Sequence, residues 1–455
     1  MIFHLSSALN NISTSRKVKY VWLISIALNV WIHFSPGLSL AFVKIEVPSS
    51  FNPVGSGARA MGMAGAFIAV CDDATASSWN PGGFIQLRKP EFSLVYSSLN
   101  RKESNQFGVY PESSHSGSVY NNHLNFVSLV YPFKMINRNM SIALTWQHLY
   151  DFNRNWSFKI TDPEWLDTDF WKYHQTGRLS AIGFSYCTQI IPRLSAGITL
   201  NLWKNIHQSN QWQQSYQEIV SDKDGQVLFI GNSKETYEFS GFNLNFGLLW
   251  RINAHLSAGL VLKTPFNADI LYSISEDWTD FINPIDPKGN SIETSNDSMH
   301  MPLSAGMGFR CQMNDVFLVA ADISHTKWKT FSYEIENSQA ICPINGKPIN
   351  ESKAKDTTQI RCGFEYLYID QKEDFIIPFR AGIFYDPTPA VDARDNYYGL
   401  SIGSGFSFLS SQGFSLDMAY TLRLGNDVGK SILKHLDFQQ DVIENLFYLS
   451  FIRYL

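Results

Sequence analysis

Charged side chains stand one at a time among alternating apolar and small residues: Arg251, Lys263, Arg310, Asp322, Arg361, Glu365, Arg380, Asp417 and Arg423. The alternation turns all of them to one face of their segments, where most are expected to pair with one another or with an internal segment. A cation left over could hold the carboxylate head of an otherwise apolar ligand, and Lys263, Arg361 and Arg380 are the candidates. Two motifs formally suggest other chemistry. Gly55-x-Gly57-x-x-Ala60 fits a dinucleotide fingerprint, which needs a preceding strand and a βαβ unit; neither is legible. Gly399-x-Ser401-x-Gly403 fits a nucleophile elbow, which needs a strand, a turn and a helix. Ser401 instead falls inside an alternating run, and the 11 His offer no suitably spaced base. The five cysteines, Cys71, Cys187, Cys311, Cys342 and Cys362, include no Cys-x-x-Cys pair. The sequence therefore reads as a non-enzyme with no metal and no cofactor.

Such residues need a scaffold, and composition narrows it. Aromatics make up 14% of the 455 residues and charged residues only 17%, against roughly 25% in soluble domains. No apolar run long enough to cross a bilayer as a helix occurs beyond the first 40 or so residues. The net charge of -5 is spread without long runs of either sign, which excludes a nucleic-acid footprint. Many aromatics, few charges and no apolar helices point to a transmembrane β-barrel.

From Glu91 onward, segments of about ten residues alternate large apolar with small or polar side chains. In "SGFNLNFGLLW", Phe242, Leu244, Phe246, Leu248 and Trp250 oppose Asn243, Asn245 and Gly247. In "GFSLDMAYTLRL", Phe414, Leu416, Met418, Tyr420 and Leu422 oppose Ser415, Asp417, Ala419, Thr421 and Arg423. Lipid outside and a wet lumen inside produce this pattern. Short connections such as "IIPR" and "DQKED" alternate with long stretches near 100–121, 150–177, 207–235, 265–300, 329–356, 386–397 and 425–443. The expectation is an all-β fold, a transmembrane antiparallel barrel of about 14 strands over residues 91–455, with the long connections extracellular. The last strand, "NLFYLSFIRYL", must pair with the first, because an open edge in hydrocarbon leaves backbone groups unsatisfied.

Arg16, Lys17 and Lys19 precede the short apolar core "YVWLISIALNVWIHF", then Pro36-Gly37 and Ser39-Leu40-Ala41. This order predicts a signal peptide over 1–41, with translation starting downstream of Met1. Residues 42–90 then precede the wall, and a barrel of about 14 strands is too wide for wall side chains to fill. Their glycines and alanines suit close packing as an amino-terminal hatch inside the lumen, where Asp72 and Asp73 can accept hydrogen bonds.

The stretch "GARAMGMAGAFIAVCDDATASSWNPGGF" resembles the hatch signature of the FadL-type outer-membrane transporters of long-chain fatty acids and aromatic hydrocarbons. "MPLSAGMGF", "LVAADISHTKWKTFS", "FRAGIFYDPTP", "YGLSIGSGFSF" and "LDMAYTL" follow in that family's order, so the resemblance covers nearly all of the mature chain. It places Asn80-Pro81 on the family's hatch motif, with Gly82-Gly83 where Ala is frequent. It implies passive uptake of hydrophobic compounds across the outer membrane of a Gram-negative bacterium, by a monomer that meets outer-membrane lipid and the barrel-assembly machinery. Ligand capture is expected in an extracellular groove. There Trp212, Tyr216 and Ile219 in one long connection, and Trp278, Phe281 and Ile282 in the next, fall at helical spacing and could each form the face of a short helix. The alternative is a barrel that docks partners during protein secretion or surface attachment.

Overall fold

The structure, a computed structural model, describes residues 51–455 apart from 54, 162–166, 283–286, 337, 392–393 and 409–412. The expected leader, 1–41, and the start of the 42–90 segment lie outside the described residues. The alternating segments form fourteen wall strands: β1 (Glu91–Phe107), β2 (His115–Met135), β3 (Arg138–Asp151 and Arg154–Thr161), β4 (Thr168–Ile191), β5 (Leu194–Trp203 and Gln211–Ser221), β6 (Val227–Arg251) and β7 (Leu256–Lys263 and Phe266–Asp280). The second half comprises β8 (Lys288–Met301 and Ser304–Gln312), β9 (Phe317–Thr326 and Ser332–Glu334), β10 (Thr357–Asp370), β11 (Phe375–Tyr385), β12 (Tyr397–Phe408), β13 (Phe414–Val428) and β14 (Phe438–Tyr454). Neighbours run antiparallel, and β14 returns to β1 with Glu91 opposite Tyr454 and Phe107 opposite Phe438, so the sheet closes. Closure leaves no edge in the bilayer.

Burial follows the period of two. On β6, Asn243 and Asn245 are 6% and 4% exposed, whereas Phe242 and Trp250 on the opposite face are 64% and 50% exposed. Short turns such as Pro192-Arg193 lie at one end of the wall, the end where β1 begins and β14 finishes. Arg251 lies exposed beside that turn, its amide on the Arg193 carbonyl, and not in the lumen as expected.

The stretches near 150–177, 207–235 and 265–300, read as long loops, are largely strand. Residues 168–178 of β4 pair with 211–221 of β5, and β7 pairs with β6 and β8 across the same zone. β6 runs for 25 residues, roughly 80 Å at strand rise, where about 10 residues suffice to span a bilayer. Beyond the lipid the wall no longer needs apolar outer residues, so the polar composition suggested loops while the ladder continued.

One joint in the wall is incomplete. The β2–β3 ladder runs from Met135↔Arg138 to Phe126↔Gln147. Among the described residues no ladder joins 115–125 of β2 to β3, whose outer half, Arg154–Thr161, pairs with β4 instead. Both flanking ladders shift register at this level, between Val95 and Tyr96 and between His148 and Tyr150.

Residues 51–90 form α1 (Ala58–Gly62), α2 (Ala76–Trp79) and a 3-10 turn, Pro81–Gln86. Their polar contacts reach strands all round the ring. Ala58 N–H donates to Ser450 Oγ, Ser401 Oγ to the Gly62 carbonyl, Ser195 Oγ to the Gly82 carbonyl and Ser141 Oγ to the Phe84 carbonyl. Only a segment inside the ring can touch β3, β5, β12 and β14 together. The small residues explain how it fits: a Cβ on Gly247 would strike Asn80 Oδ1, and one on Gly82 would lie 3.0 Å from the Gly247 carbonyl oxygen.

Candidate functional site

The inner segment is fixed by charge as well as by packing. Asp322 Oδ2 accepts the Phe67 and Ile68 amides at 2.7 and 2.9 Å. Asn80 Nδ2 donates to the Ile68 and Leu248 carbonyls at 2.8 and 2.9 Å, while its Oδ1 accepts from the Gly82 amide. Pro81 starts the 3-10 turn behind this cap. Arg59 spans Asp72 at 2.5 Å and both oxygens of Glu365 at 2.9 Å. Asp73 keeps to its own turn, accepting from the Thr75 amide and hydroxyl. Charge-assisted bonds of this kind are about twice as strong as neutral ones, so they decide where the segment holds.

Directly against this segment lies a cavity. Pro53, Gly55, Ser56, Ser78 and Trp79 form its floor. Leu149, Tyr150, Trp203, Phe266, Met301 and Trp328 give it an apolar wall, with Asn201, Asn243 and Asn245 among the polar groups. Two of the three expected cations, Lys263 and Arg361, line it. Arg361 lies over the Trp79 ring at 5.8 Å and 3.8 Å from Asp386. Among the described residues no carboxylate comes within ion-pair distance of Lys263. Arg380 is elsewhere engaged: its Nε meets Glu365 and its Nη1 meets Asp417, each at 2.6 Å. It is therefore not a free cation, because two buried carboxylates already satisfy it. A second lobe, reached past Trp79 and Arg361, is lined by Arg101, Asp151, Arg423, Glu444 and Tyr448; the Arg101–Glu444–Arg423 cluster there pairs internally at 3.0 and 2.9 Å.

The expected helical faces are strands. Trp212 and Tyr216 point inward from β5 and are buried, Trp212 stacked between Phe152 and Tyr237 with ring centroids 4.4 and 4.6 Å away. Ile219 falls on the opposite face, because a spacing of seven reverses sides in a strand. Trp278 is part of β7, packed against Gly289. Phe281 and Ile282, at the tip of that hairpin, are 58% and 49% exposed.

Missed by the sequence reading were Trp203, Phe266 and Trp328, which close the cavity from interrupted strands. Of the three, only Phe266 adjoins a break that carries a proline, Thr264-Pro265, and that was the available signal. Ser401, the candidate nucleophile, is mid-strand with its hydroxyl on the Gly62 carbonyl. All five cysteines are free thiols.

A family model described as outer membrane protein transport protein (OMPP1/FadL/TodX) matches residues 50–443. No curated protein sequence matches the chain. Among solved structures, a Pseudomonas aeruginosa FadL homologue superposes with TM-score 0.59 at 14% identity, covering 89% of this chain and 100% of its own. The Pseudomonas putida toluene transporter TodX gives 0.56 at 14% identity over 88% and 98%, and the Ralstonia pickettii toluene transporter TbuX 0.51 at 13% over 88% and 99%. At these identities the likeness is one of fold.

Proposed function

The chain belongs to the outer membrane protein transport family of FadL and TodX, and from that premise we propose that it carries apolar monocarboxylates, of the fatty-acid type, passively inward. It is an outer-membrane barrel of a Gram-negative bacterium. The observation that carries the substrate class is the cavity: an aromatic and aliphatic wall with Lys263 facing in and, among the described residues, no carboxylate within ion-pair distance of it. A hydrocarbon such as toluene, named for the two transporters above, would use the same wall without needing the ammonium.

An acyl chain gains about 0.8 kcal/mol per methylene on leaving water, roughly 12 kcal/mol for sixteen carbons. The polar outer surface of the membrane is therefore the barrier, and a lined protein route lowers it. Phe281 and Ile282, exposed at the tip of the β7–β8 hairpin, supply the first apolar contact. Trp212 and Tyr216, being buried in the wall, shape the passage below it. The ligand then rests over Pro53, Gly55 and Trp79 with its carboxylate at Lys263, and passes on when the hatch, residues 42–90, gives way locally.

Uptake of labelled oleate and of toluene by cells with and without the gene tests this. The expected result is loss of oleate uptake on deletion and its return on re-expression. Unchanged uptake of both compounds refutes transport, and loss of toluene uptake alone refutes the monocarboxylate assignment.

A further inference from the structure

Where β2 and β3 part, three buried side chains with metal-binding chemistry converge. His123 comes from β2, and His148 and Asp151 from the end of the first half of β3. One donor atom from each lies within 4.8 Å of the others. They are 7%, 0% and 4% exposed. The two imidazole rings face each other with centroids 4.0 Å apart.

The hydrogen bonding around them is half complete. His123 Nε2 meets Ser97 Oγ and His148 Nε2 meets the Tyr150 carbonyl, each at 3.1 Å. The other nitrogen of each ring, Nδ1, is buried without a hydrogen-bond partner. Leaving a buried polar atom unpaired is unfavourable, and the two imidazoles in this pocket each leave one. Asp151 Oδ1 lies 3.1 Å from His148 Nε2 and accepts from Asn121 and Asn153 Nδ2 at 3.1 and 3.3 Å. Ligating imidazoles characteristically use one nitrogen for the metal and commit the other to a carbonyl or hydroxyl, while ligating carboxylates are held by further donors. Here His123 commits Nε2 to Ser97 and His148 commits Nε2 to the Tyr150 carbonyl and Asp151, which leaves a free nitrogen on each ring beside a carboxylate held by two amide donors.

We propose that His123, His148 and Asp151 bind a divalent cation of the Zn2+ type. Two neutral imidazoles and one carboxylate suit Zn2+ or Co2+, with water completing the shell. Mg2+ and Ca2+, which take oxygen ligands, are disfavoured. Asp151 also lines the second lobe of the lumen, which gives the ion a way in. Placement assigns a consequence. The site lies just past Phe126↔Gln147, the last rung joining β2 to β3, so a bound ion cross-links the two strands where the ladder stops. The ion would close the joint, and its removal would loosen residues 115–125.

The test uses the full-length protein in detergent, stripped with chelator and titrated with Co2+. The expected result is one Co2+ per barrel, with a visible d–d spectrum erased by Zn2+ but not by Mg2+. His123→Gln and His148→Gln should each weaken Co2+ binding by at least ~10- to 100-fold, the loss seen when even an outer-shell partner of a ligand is removed, while the exposed-site control His325→Gln leaves it unchanged. Heat-modifiable migration on gels reports that each variant is folded. Should the His variants not fold, Asp151→Asn is read in their place. Hydrogen exchange of residues 115–125 should slow on adding Zn2+ to wild type only. No saturable Co2+ binding by wild type, or binding undiminished in the folded variants, overturns the proposal.

Discussion

Replacing Arg59 by Met should loosen the inner segment without unfolding the barrel. Arg59 bonds Asp72 and both oxygens of Glu365, and removing one partner of a fully buried pair typically costs about 3–5 kcal/mol. Two features lower that figure. Glu365 keeps Arg380 at 2.6 Å, so it is not orphaned. Asp72 is 23% exposed and has Arg310 3.8 Å away. What is lost is mainly the tie between α1 and its surroundings, about 2–3 kcal/mol, which multiplies local opening by ~30- to 150-fold at 1.4 kcal/mol per tenfold. Hydrogen exchange measures this amide by amide. Residues 59–66 should exchange faster by that factor, whereas Phe67 and Ile68, held independently by Asp322, should change little. Uniform acceleration across 58–87 would show that the segment opens as one unit, and no acceleration would show that the guanidinium contributes packing only. Either result refutes the local-anchor argument.

Lys263→Met keeps the stem and removes the charge. It should lower oleate uptake by about tenfold, the worth of one charge-assisted hydrogen bond, and leave toluene uptake unchanged in the same cells. Gly247→Val places a side chain on Asn80 Oδ1 and Pro81 Cδ; overpacking of this kind costs about 1–3 kcal/mol and should appear as protease cleavage within 80–90 of a folded barrel. In the loop before β12, burial pushes the Asp395 carboxyl up to about 6, against the opposing Gly429 amide, 2.8 Å away, and Lys430. The folded loop then binds more protons than the unfolded one, so its stability is full below the ordinary carboxylate range and falls as pH rises through about 6. Protection of residues 429–431 against exchange, corrected for intrinsic rate, should be greater at about pH 4.5 than at about pH 7.5, and Asp395→Asn should remove the difference.

The faces of the wall were legible because a strand's period of two is strict: Asp417, Thr421 and Arg423 lie buried, as their alternation with Met418 and Tyr420 requires. So was a closed ring, and the small residues of the 42–90 stretch serve the close backbone approach expected of them where Gly82 meets Gly247. The upper wall was not. A spacing of four places Trp212 and Tyr216 on one face in either a helix or a strand, so the pair could not discriminate; Ile219, seven residues on, could have, and it lies on the other side. The pairing of Arg380 was also out of reach. Its partners Glu365, on neighbouring β10, and Asp417, on β13 across β12, are fixed by register, which decides that they, and not a ligand, receive the guanidinium.

Energy limits how far the inner segment can move. The bonds that hold its body, from Asp322, Asn80 and Arg59 to the wall serines, are worth about 1 kcal/mol each when neutral and 1.5–3 when charged, or ~10 kcal/mol in all. That nearly equals the ~12 kcal/mol that a sixteen-carbon chain gains by leaving water. On the proposed route, expelling the whole segment would consume the drive that brings the ligand in, so release there would use a smaller motion. The cavity is lined by Pro53, Gly55 and Ser56, ahead of α1, and by Leu149 and Tyr150, beside the end of the β2–β3 ladder, so a motion confined to either place would open it without freeing the body of the segment. A tether separates the possibilities. Ser450 Oγ lies 2.6 Å from the Ala58 amide, so Ala58→Cys with Ser450→Cys, in a chain otherwise free of cysteine, should form a disulfide fixing α1 to β14. Oleate uptake should persist with the bridge formed. Uptake abolished by oxidation and restored by reductant would mean that the body of the segment leaves after all, and that its holding energy has been overstated.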